Sequence, residues 1–232
     1  MSGSSSDILI CIDSNASKYG IKAYYMTSEG PSSPRYPANW ENIIRELHEY
    51  IVNKYTVEDL KNDPIIKAYR KFYWRIGIDP TKTRPSSEAL VRRLLRGRFP
   101  KISPIVDAGN IASAKYLVPI GLYDLEKASV PLRLTVSRGG EIFYGIGGKD
   151  EVLEEGLPIL VDSVGNVLHL YPHRDSRITM IRDTTTKLLA LAAGVPGVSD
   201  DLLVETLRFL GGLLDLLKWK TSDIIRVEGC LH

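Results

Sequence analysis

Short β-prone runs joined by glycine turns occupy the middle of the chain, and they limit most strongly what it can fold into. The runs are Val130 to Ser137, Glu141 to Ile146, Leu157 to Ser163 and Val167 to Tyr171. The joins at residues 138–140 and 164–166 contain glycine and are short enough for hairpins. We therefore expect antiparallel pairing of the first run with the second and of the third with the fourth.

Helical periodicity flanks these runs on both sides. Apolar residues recur at helical spacing from Trp40 to Tyr55 and from Pro64 to Trp74. After the strands, Thr184 to Ala193 is expected to be helical, and Ser199 is placed to cap a Leu-rich helix that extends through Trp219. These patterns predict an α+β fold, with a central, mainly antiparallel or mixed β-sheet, helices packed on it and a helical C-terminal tail.

Composition excludes several protein classes. The 232 residues are 44% hydrophobic and carry a net charge of +2, which is typical of a globular protein. No run of about 18 apolar residues is present, and the opening MSGSSSD lacks the basic and apolar parts of a secretory signal. We expect neither a membrane partner nor secretion, and hence a cytoplasmic protein. Ile8 to Ile12 is expected to be a buried strand.

Cysteine and histidine spacing offers no metal site. Cys11 and Cys230 lie at opposite ends of the chain without a neighbouring cysteine, so we expect reduced thiols. His169 and His173 have helical spacing, but Pro172 between them argues against the helix that this spacing would need.

Positive charge is concentrated between residues 82 and 101. This segment contains seven Lys or Arg residues and one acid, Glu88. Apolar spacing predicts a helix capped by Ser86 and Ser87 and stopped by Gly97, with arginines on the face opposite the core. A surface of this kind is expected of a phosphate-backbone binder, although a solvated amphipathic helix has the same pattern. The candidate side chains are Lys82, Arg84, Arg92, Arg93 and Arg96.

The glycine-rich stretch from Gly145 to Lys149 is not a phosphate-binding loop of the GxxxxGK type. Phe143 stands where that motif requires its first glycine. The glycines are expected to end a strand and to let backbone or a ligand approach closely. No GxSxG motif of serine hydrolases occurs.

Other polar residues interrupt apolar surroundings and are candidates for a site or for turns and caps. They are Asp107, Asn110, Tyr123, Asp124, the run His173 to Arg177, and Asp183 to Thr186. Asp183 and the threonines after it are typical of a helix N-terminus, and Asp107 is typical of a turn.

Three segments occur in a fixed order: IDPTKTRPSSEALVRRLLRG, IVDAGNIASAKYLVPIGLYDLEK and YPHRDSRITMIRDTTTKLLAL. Together they resemble the editing and tRNA-binding domain of the phenylalanyl-tRNA synthetase β-subunit, in its free-standing form. The resemblance covers roughly residues 64–196 and implies a domain there. Residues 1–63 then form an appendage of strand, proline-rich loop and helix, and residues 197–232 form a helical extension packed on the same domain.

The resemblance also implies roles for individual residues. Asn110 matches the asparagine of the synthetase editing pocket and Asp175 lies near its downstream acid, so these two are the expected catalytic residues. Gly121 stands where the bacterial synthetase has a pocket histidine, which implies a different aminoacyl group. The expected substrate-binding set is Gly121, Tyr123, Asp124, Gly145, Gly147, Gly148 and Thr184.

The function implied is that of a trans-acting aminoacyl-tRNA deacylase, which hydrolyses the ester of a mischarged tRNA without a cofactor. Positioning of a water and stabilisation of an oxyanion suffice for such an activated ester. Two alternatives stay open: a non-catalytic tRNA- or RNA-binding module, and a domain that binds a small amino-acid-like molecule.

Overall fold

The computed structural model describes residues 9–230. Its α-helices are α1 (Ser14–Ser17), α2 (Trp40–Lys54), α3 (Val57–Asn62), α4 (Pro64–Arg75), α5 (Ser86–Leu94), α6 (Pro104–Tyr116) and α7 (Asp200–Leu216). Its strands are β1 (Ile10–Ile12), β2 (Lys22–Glu29), β3 (Ile120–Asp124), β4 (Leu132–Arg138), β5 (Ile142–Phe143), β6 (Glu151–Val152), β7 (Glu155–Val161), β8 (Val167–Leu170), β9 (Arg174–Asp175), β10 (Lys187–Gly194), β11 (Lys220–Thr221), β12 (Ile225–Arg226) and β13 (Glu228–Gly229). Within the described residues, no helix is both long and apolar enough to cross a membrane.

Two main sheets organise the molecule. The first has the strand order β13-β1-β4-β7-β8-β9, in which β1 runs parallel to both of its neighbours and the other pairs are antiparallel. The second has the order β11-β2-β10-β3 and is antiparallel, with β12 also paired to β2. Strands β5 and β6 form a separate two-stranded hairpin. The predicted α+β class with mixed and antiparallel sheets is confirmed, and the C-terminal tail consists of α7 followed by short strands.

The helix expected from Thr184 to Ala193 is wrong, because most of this segment is strand β10. It pairs with β2 along its whole length and with β3 on its other side, so it is the buried central strand of the second sheet. A strand buried on both faces is apolar throughout, and a continuous apolar run does not distinguish helix from strand. Asp183 accordingly begins no helix.

One of the two predicted hairpins is wrong as well. Strand β4 pairs with β7 rather than with β5, and β5 pairs with β6 in a small hairpin of its own. Gly139 and Gly140, both at positive φ, lead the chain out of β4 into this hairpin. The second hairpin, β7 to β8, is confirmed. The Asp162 carboxylate stabilises its turn by accepting hydrogen bonds from the amides of Val164 and Asn166.

The segment around Asn110 is more helical than the sequence suggested. Helix α6 begins at Pro104, so Asp107 lies inside a helix and not in the turn that its residue type favours, and Asn110 lies inside the same helix. Leu117, in the left-handed conformation, ends it. Pro119 then leads directly into the regular edge strand β3.

Several helix boundaries agree with prediction and one cap does not. Helices α2, α4 and α7 form where periodicity placed them, and Ser199 accepts a hydrogen bond from the Leu202 amide as the expected N-cap. In α5, Ser86 and Ser87 are the first helical residues, and neither caps the helix, because the chain enters it through Pro85. Gly97, at φ +68°, follows the last turn.

The largest hydrophobic cluster takes residues from both main sheets and from helices α2 to α7. A smaller cluster lies between the β5–β6 hairpin and strands β7 and β8. The predicted free thiols are wrong: Cys11, on β1, and Cys230, just after β13, form a disulfide. The pairing of β1 with β13 places them side by side, which no local sequence pattern reveals. The predicted first strand is observed from Ile10, and Ile8 lies outside the described residues.

Candidate functional site

A histidine and a carboxylate face each other across strands β8 and β9. The antiparallel register sets His169 opposite Asp175, so both side chains lie on one face of the sheet. His169 Nδ1 lies 2.7 Å from Asp175 Oδ1. The His169 side chain is 4% exposed and that of Asp175 is 28% exposed. The pair is therefore buried at the imidazole and open to solvent at the carboxylate.

Tyr123 of β3 completes a buried polar cluster with this pair. Its ring contacts that of His169 edge to face, with the centroids 6.1 Å apart. Burial, followed by the negative charge of Asp175, raises the pKa of Tyr123 well above its usual value, so the phenol stays protonated. Within residues 9–230, neither the Tyr123 hydroxyl nor His169 Nε2 has a hydrogen-bond partner. Buried polar atoms are normally paired, so two unpaired ones in contacting side chains mark a candidate site.

Gly121 contributes space to this cluster. It lies two residues before Tyr123 on β3, and therefore on the same face of the strand. The tyrosine side chain folds back over the glycine, so that a Cβ added at position 121 would overlap the phenol oxygen. In this arrangement residue 121 cannot carry an imidazole, and the imidazole of the cluster comes from His169 instead.

The loop from Gly145 to Gly148 lies along β9, beside Asp175. Gly145 forms a β-bridge with Ser176, and the Ile146 amide donates a 3.0 Å hydrogen bond to the Asp175 carbonyl oxygen. The Arg174 guanidinium lies against Gly145 and Gly148, in space that side chains at those positions would fill. Gly147 is exposed and adopts positive φ.

Two ion pairs hold this glycine loop in place. Arg174 pairs with Glu151 at 2.7 Å, and Arg177 pairs with Asp150. Arg174 is on β9 and Arg177 lies just after it, so both ion pairs fix the loop close to the candidate carboxylate Asp175.

Three other predicted site residues lie apart from the cluster. Gly109 packs on Leu122, which projects from the face of β3 opposite Tyr123, so α6 and Asn110 lie on that opposite side. Within residues 9–230 the Asn110 side chain makes no hydrogen bond. Asp124 accepts a 2.7 Å hydrogen bond from Thr185, and Thr184 is exposed to solvent.

The sequence predicts site roles for Tyr123 and Asp175 but not for His169, whose spacing relates it only to His173. The sequence feature that could have indicated the His169–Asp175 pair is the turn at Tyr171 to His173, which brings residues 169 and 175 face to face in a short hairpin.

The expected basic face of α5 is only partly free. Glu88 is completely buried and accepts hydrogen bonds from Arg70 at 2.6 and 2.8 Å and from Arg92 Nε at 2.7 Å. The Arg92 side chain is only 12% exposed. Its predicted place on the open face is therefore wrong, and Glu88 is not an isolated acid. Four of the five predicted cations are exposed and form no ion pair within residues 9–230: Lys82, Arg84, Arg93 and Arg96.

A metal centre finds no support in the described part of the chain. There, no group of three or more His, Cys, Asp or Glu side chains is arranged to hold a metal ion.

Two main sheets, with a buried polar cluster formed by residues of β3, β8 and β9, place this domain in the α+β class. The chain belongs to the B3/4 domain family, whose profile matches residues 68–201, more than half of its length. Comparison with curated protein sequences gave no significant match.

The fold is also similar to that of a solved structure, an N-terminal fragment of the phenylalanyl-tRNA synthetase β-subunit from Pyrococcus horikoshii. The TM-score is 0.51 at 15% sequence identity, over 95% of this chain and 54% of that fragment. The chain thus spans about half the length of the fragment that it matches.

Proposed function

We propose that this protein hydrolyses the ester bond of a mischarged aminoacyl-tRNA, acting in trans in the cytoplasm. The observation that carries the proposal is the His169–Asp175 pair, which leaves the second imidazole nitrogen buried and without a partner. Membership of the B3/4 family supports an aminoacyl-tRNA as the substrate class.

The histidine is the proposed general base. A neutral imidazole that donates Nδ1–H to Asp175 has an unprotonated Nε2, which can accept a proton. Nε2 takes a proton from water as the water oxygen attacks the ester carbonyl carbon. The bond from that carbon to the ribose oxygen then breaks, and the imidazolium returns the proton to the ribose oxygen. The products are the free amino acid and the uncharged tRNA.

Tyr123 is the proposed hydrogen-bond donor to the developing oxyanion. Its raised pKa keeps the hydroxyl protonated at neutral pH. Within residues 9–230 the hydroxyl makes no hydrogen bond of good geometry, although the Asp175 carboxylate is near enough to contribute to the raised pKa. A preorganised donor of this kind is worth on the order of 10² or more in rate. The Ile146 amide is not free for this role, because it donates to the Asp175 carbonyl oxygen.

Substrate reaches the cluster past Asp175, its most exposed member. The glycine loop from residue 145 to 148 borders this route, and we propose that it shifts when the acceptor end of a tRNA enters. The exposed Lys82, Arg84, Arg93 and Arg96 are proposed to hold phosphates of the tRNA, whereas Arg92 stabilises Glu88.

The test is deacylation of a panel of correctly and wrongly charged tRNAs by the protein and by His169→Gln, Asp175→Asn and Tyr123→Phe. We expect one or a few esters to be hydrolysed and each variant to lose at least tenfold in kcat. Asn110→Ala is the matched control, because Asn110 lies on the other side of β3, and it should keep its activity. Equal loss in Asn110→Ala would move the site to α6, and survival of every ester with the unmutated protein would contradict the proposal.

A second candidate is a non-catalytic RNA-binding module. Two observations favour it. The cations around α5 are exposed and available to RNA, whereas Tyr123 is fully buried, away from a substrate. Salt-sensitive tRNA binding with every ester intact would support it. Binding of free amino acids that is insensitive to salt, without tRNA binding, would instead indicate a small-molecule domain.

A further inference from the structure

Helix α4 presents a continuous positive face outside the candidate site. Lys67, Lys71 and Arg75 follow one another at intervals of four residues and so share one side of the helix. No acidic residue occurs between Pro64 and Arg75. All three cations are exposed.

Protein carboxylates do not neutralise this charge in the described part of the chain. Between residues 9 and 230, the side chains of Lys67 and Lys71 form neither ion pairs nor hydrogen bonds. Arg75 donates to the carbonyl oxygens of Lys18 and Tyr19 at 2.8 and 2.9 Å, which fixes its position and leaves its full charge. A row of unpaired cations on one helix face is the electrostatic complement of a polyanion.

An exposed tryptophan lies within the same face. The Trp74 residue is 58% exposed, whereas Trp40 and Trp219 are each 1% exposed. At 3.6 residues per turn, Trp74 projects about 20° from the direction of Lys67. Its indole is therefore available for stacking beside the cationic row.

A groove runs along the other border of this face. It has a volume of about 440 Å³ and an apolar floor that includes Phe72 and Pro196, with Lys67, Lys71 and Arg75 at its rim. A sugar or base can contact such a floor while its phosphate meets the rim.

We propose that this α4 face (Lys67, Lys71, Trp74 and Arg75) binds single-stranded RNA. The three cations contact successive phosphates, and Trp74 stacks on an unpaired base. Base stacking on an aromatic side chain is independent of sequence and adds to the electrostatic attraction. A lipid surface would require several exposed apolar side chains around the cations, whereas this face has a single aromatic one.

The proposal does not depend on ester hydrolysis. Arg70, on the flank of α4, pairs with Glu88 of α5, which links the helix that carries this face to the helix near the other exposed cations. It is separate from the Tyr123–His169–Asp175 cluster in its residues and in its chemistry.

Tryptophan fluorescence tests the proposal directly, because Trp74 is the one exposed tryptophan among the three in the chain. The probe is a single-stranded RNA oligonucleotide of about 12 nucleotides, within the range of site sizes on comparable surfaces. We expect quenching of the Trp74 emission that saturates with RNA and weakens with salt. Trp74→Phe should lose the quenching, and Trp74→Ala should weaken binding measured by anisotropy of labelled RNA about tenfold.

Charge variants distinguish binding of RNA at the α4 face from non-specific electrostatic attraction of RNA to the whole protein. Lys67→Glu with Lys71→Glu should weaken RNA binding at least tenfold and lower its salt dependence. Lys127→Glu with Lys220→Glu makes the same change in net charge at exposed lysines elsewhere, and should bind like the unmutated protein. Equal weakening in both pairs, or absence of binding to the oligonucleotide, would overturn the proposal.

Two further probes decide the nature of the partner. Preference for a fully paired RNA hairpin over the single strand would overturn the stacking role of Trp74. Binding to vesicles of phosphatidylcholine and phosphatidylglycerol without binding to RNA would show a lipid surface instead. Because the oligonucleotide carries no aminoacyl ester, a failed deacylation assay leaves these outcomes unchanged.

Discussion

Arg92 Nε donates a 2.7 Å hydrogen bond to Glu88 Oε1, one turn earlier in α5. Arg70 of α4 reaches the same carboxylate with two further hydrogen bonds. Burial alone would favour the neutral acid, but the hydrogen bonds from the two arginines outweigh it and lower the pKa of Glu88. The cluster therefore links α4 to α5 through side-chain hydrogen bonds to one buried carboxylate.

Glu88→Gln should destabilise the fold by about 3 kcal/mol at pH 7, because it leaves two partly buried guanidinium groups without their carboxylate. Since the pKa of Glu88 is lowered in the folded state, its contribution is complete above about pH 4.5 and is lost as the pH falls through the folded pKa. Urea unfolding at pH 7 and at acid pH measures both effects. Glu49→Gln, at an exposed position on α2, is the control and should change little. A Glu88→Gln effect as small as the control would contradict the prediction.

Local patterns account for much of the helical part of the fold. Helices α2, α4 and α7 each combine an apolar stripe with a recognisable start, such as the Ser199 cap. Strand β10 could not be predicted in this way, because a central strand is apolar on both faces and shows no period of two. The disulfide could not be predicted from local sequence either, since only the pairing of β1 with β13 brings Cys11 to Cys230.

The candidate site could be predicted only in part, for a similar reason. Tyr123 and Asp175 lie in segments whose resemblance to a known domain drew attention to them. His169 becomes significant only through its register with Asp175, and the hydrogen bonds of Arg92 to Glu88 depend on how deeply α5 is buried. Burial and strand register are properties of the whole fold, which spacing along the chain does not encode.

Two glycine-to-alanine substitutions should have opposite effects. At Gly121 the new methyl group would overlap the Tyr123 phenol, so Gly121→Ala should destabilise the protein by about 2 kcal/mol. At Gly212, in the interior of α7, nothing lies within 4 Å of the added atom, so Gly212→Ala should stabilise it by about 0.5–1 kcal/mol through helix propensity. Chemical denaturation of both variants measures the difference, and a neutral Gly121→Ala would show that the cluster accommodates a side chain there.

Acid should destabilise the protein through His173. Burial, followed by the electrostatic influence of His169 and of Arg174, lowers the pKa of His173 to about 3 from its usual 6.5. Between these two pH values the unfolded chain binds a proton that the folded protein does not, so stability falls as the pH decreases from about 6.5 towards 3. His173→Phe, which keeps an aromatic contact with Tyr73, should reduce this decline. The free energy of unfolding, measured at pH 7.5, 6, 5 and 4, should therefore fall less steeply with acid in His173→Phe than in the unmutated protein, so that the two curves converge or cross. Parallel curves would show that His173 does not cause the acid sensitivity.

The disulfide should contribute to stability by restricting the unfolded chain. It closes a loop with a sequence separation of 219 residues, and removal of a native disulfide typically costs about 2–5 kcal/mol. Cys230→Ser should therefore lower the melting temperature measured under oxidising conditions. Reductant should lower the melting temperature of the unmutated protein to a similar extent and leave that of Cys230→Ser unchanged, because the variant has no disulfide to reduce. If reductant affected both proteins equally, the stabilisation would have to come from something other than the Cys11–Cys230 bond.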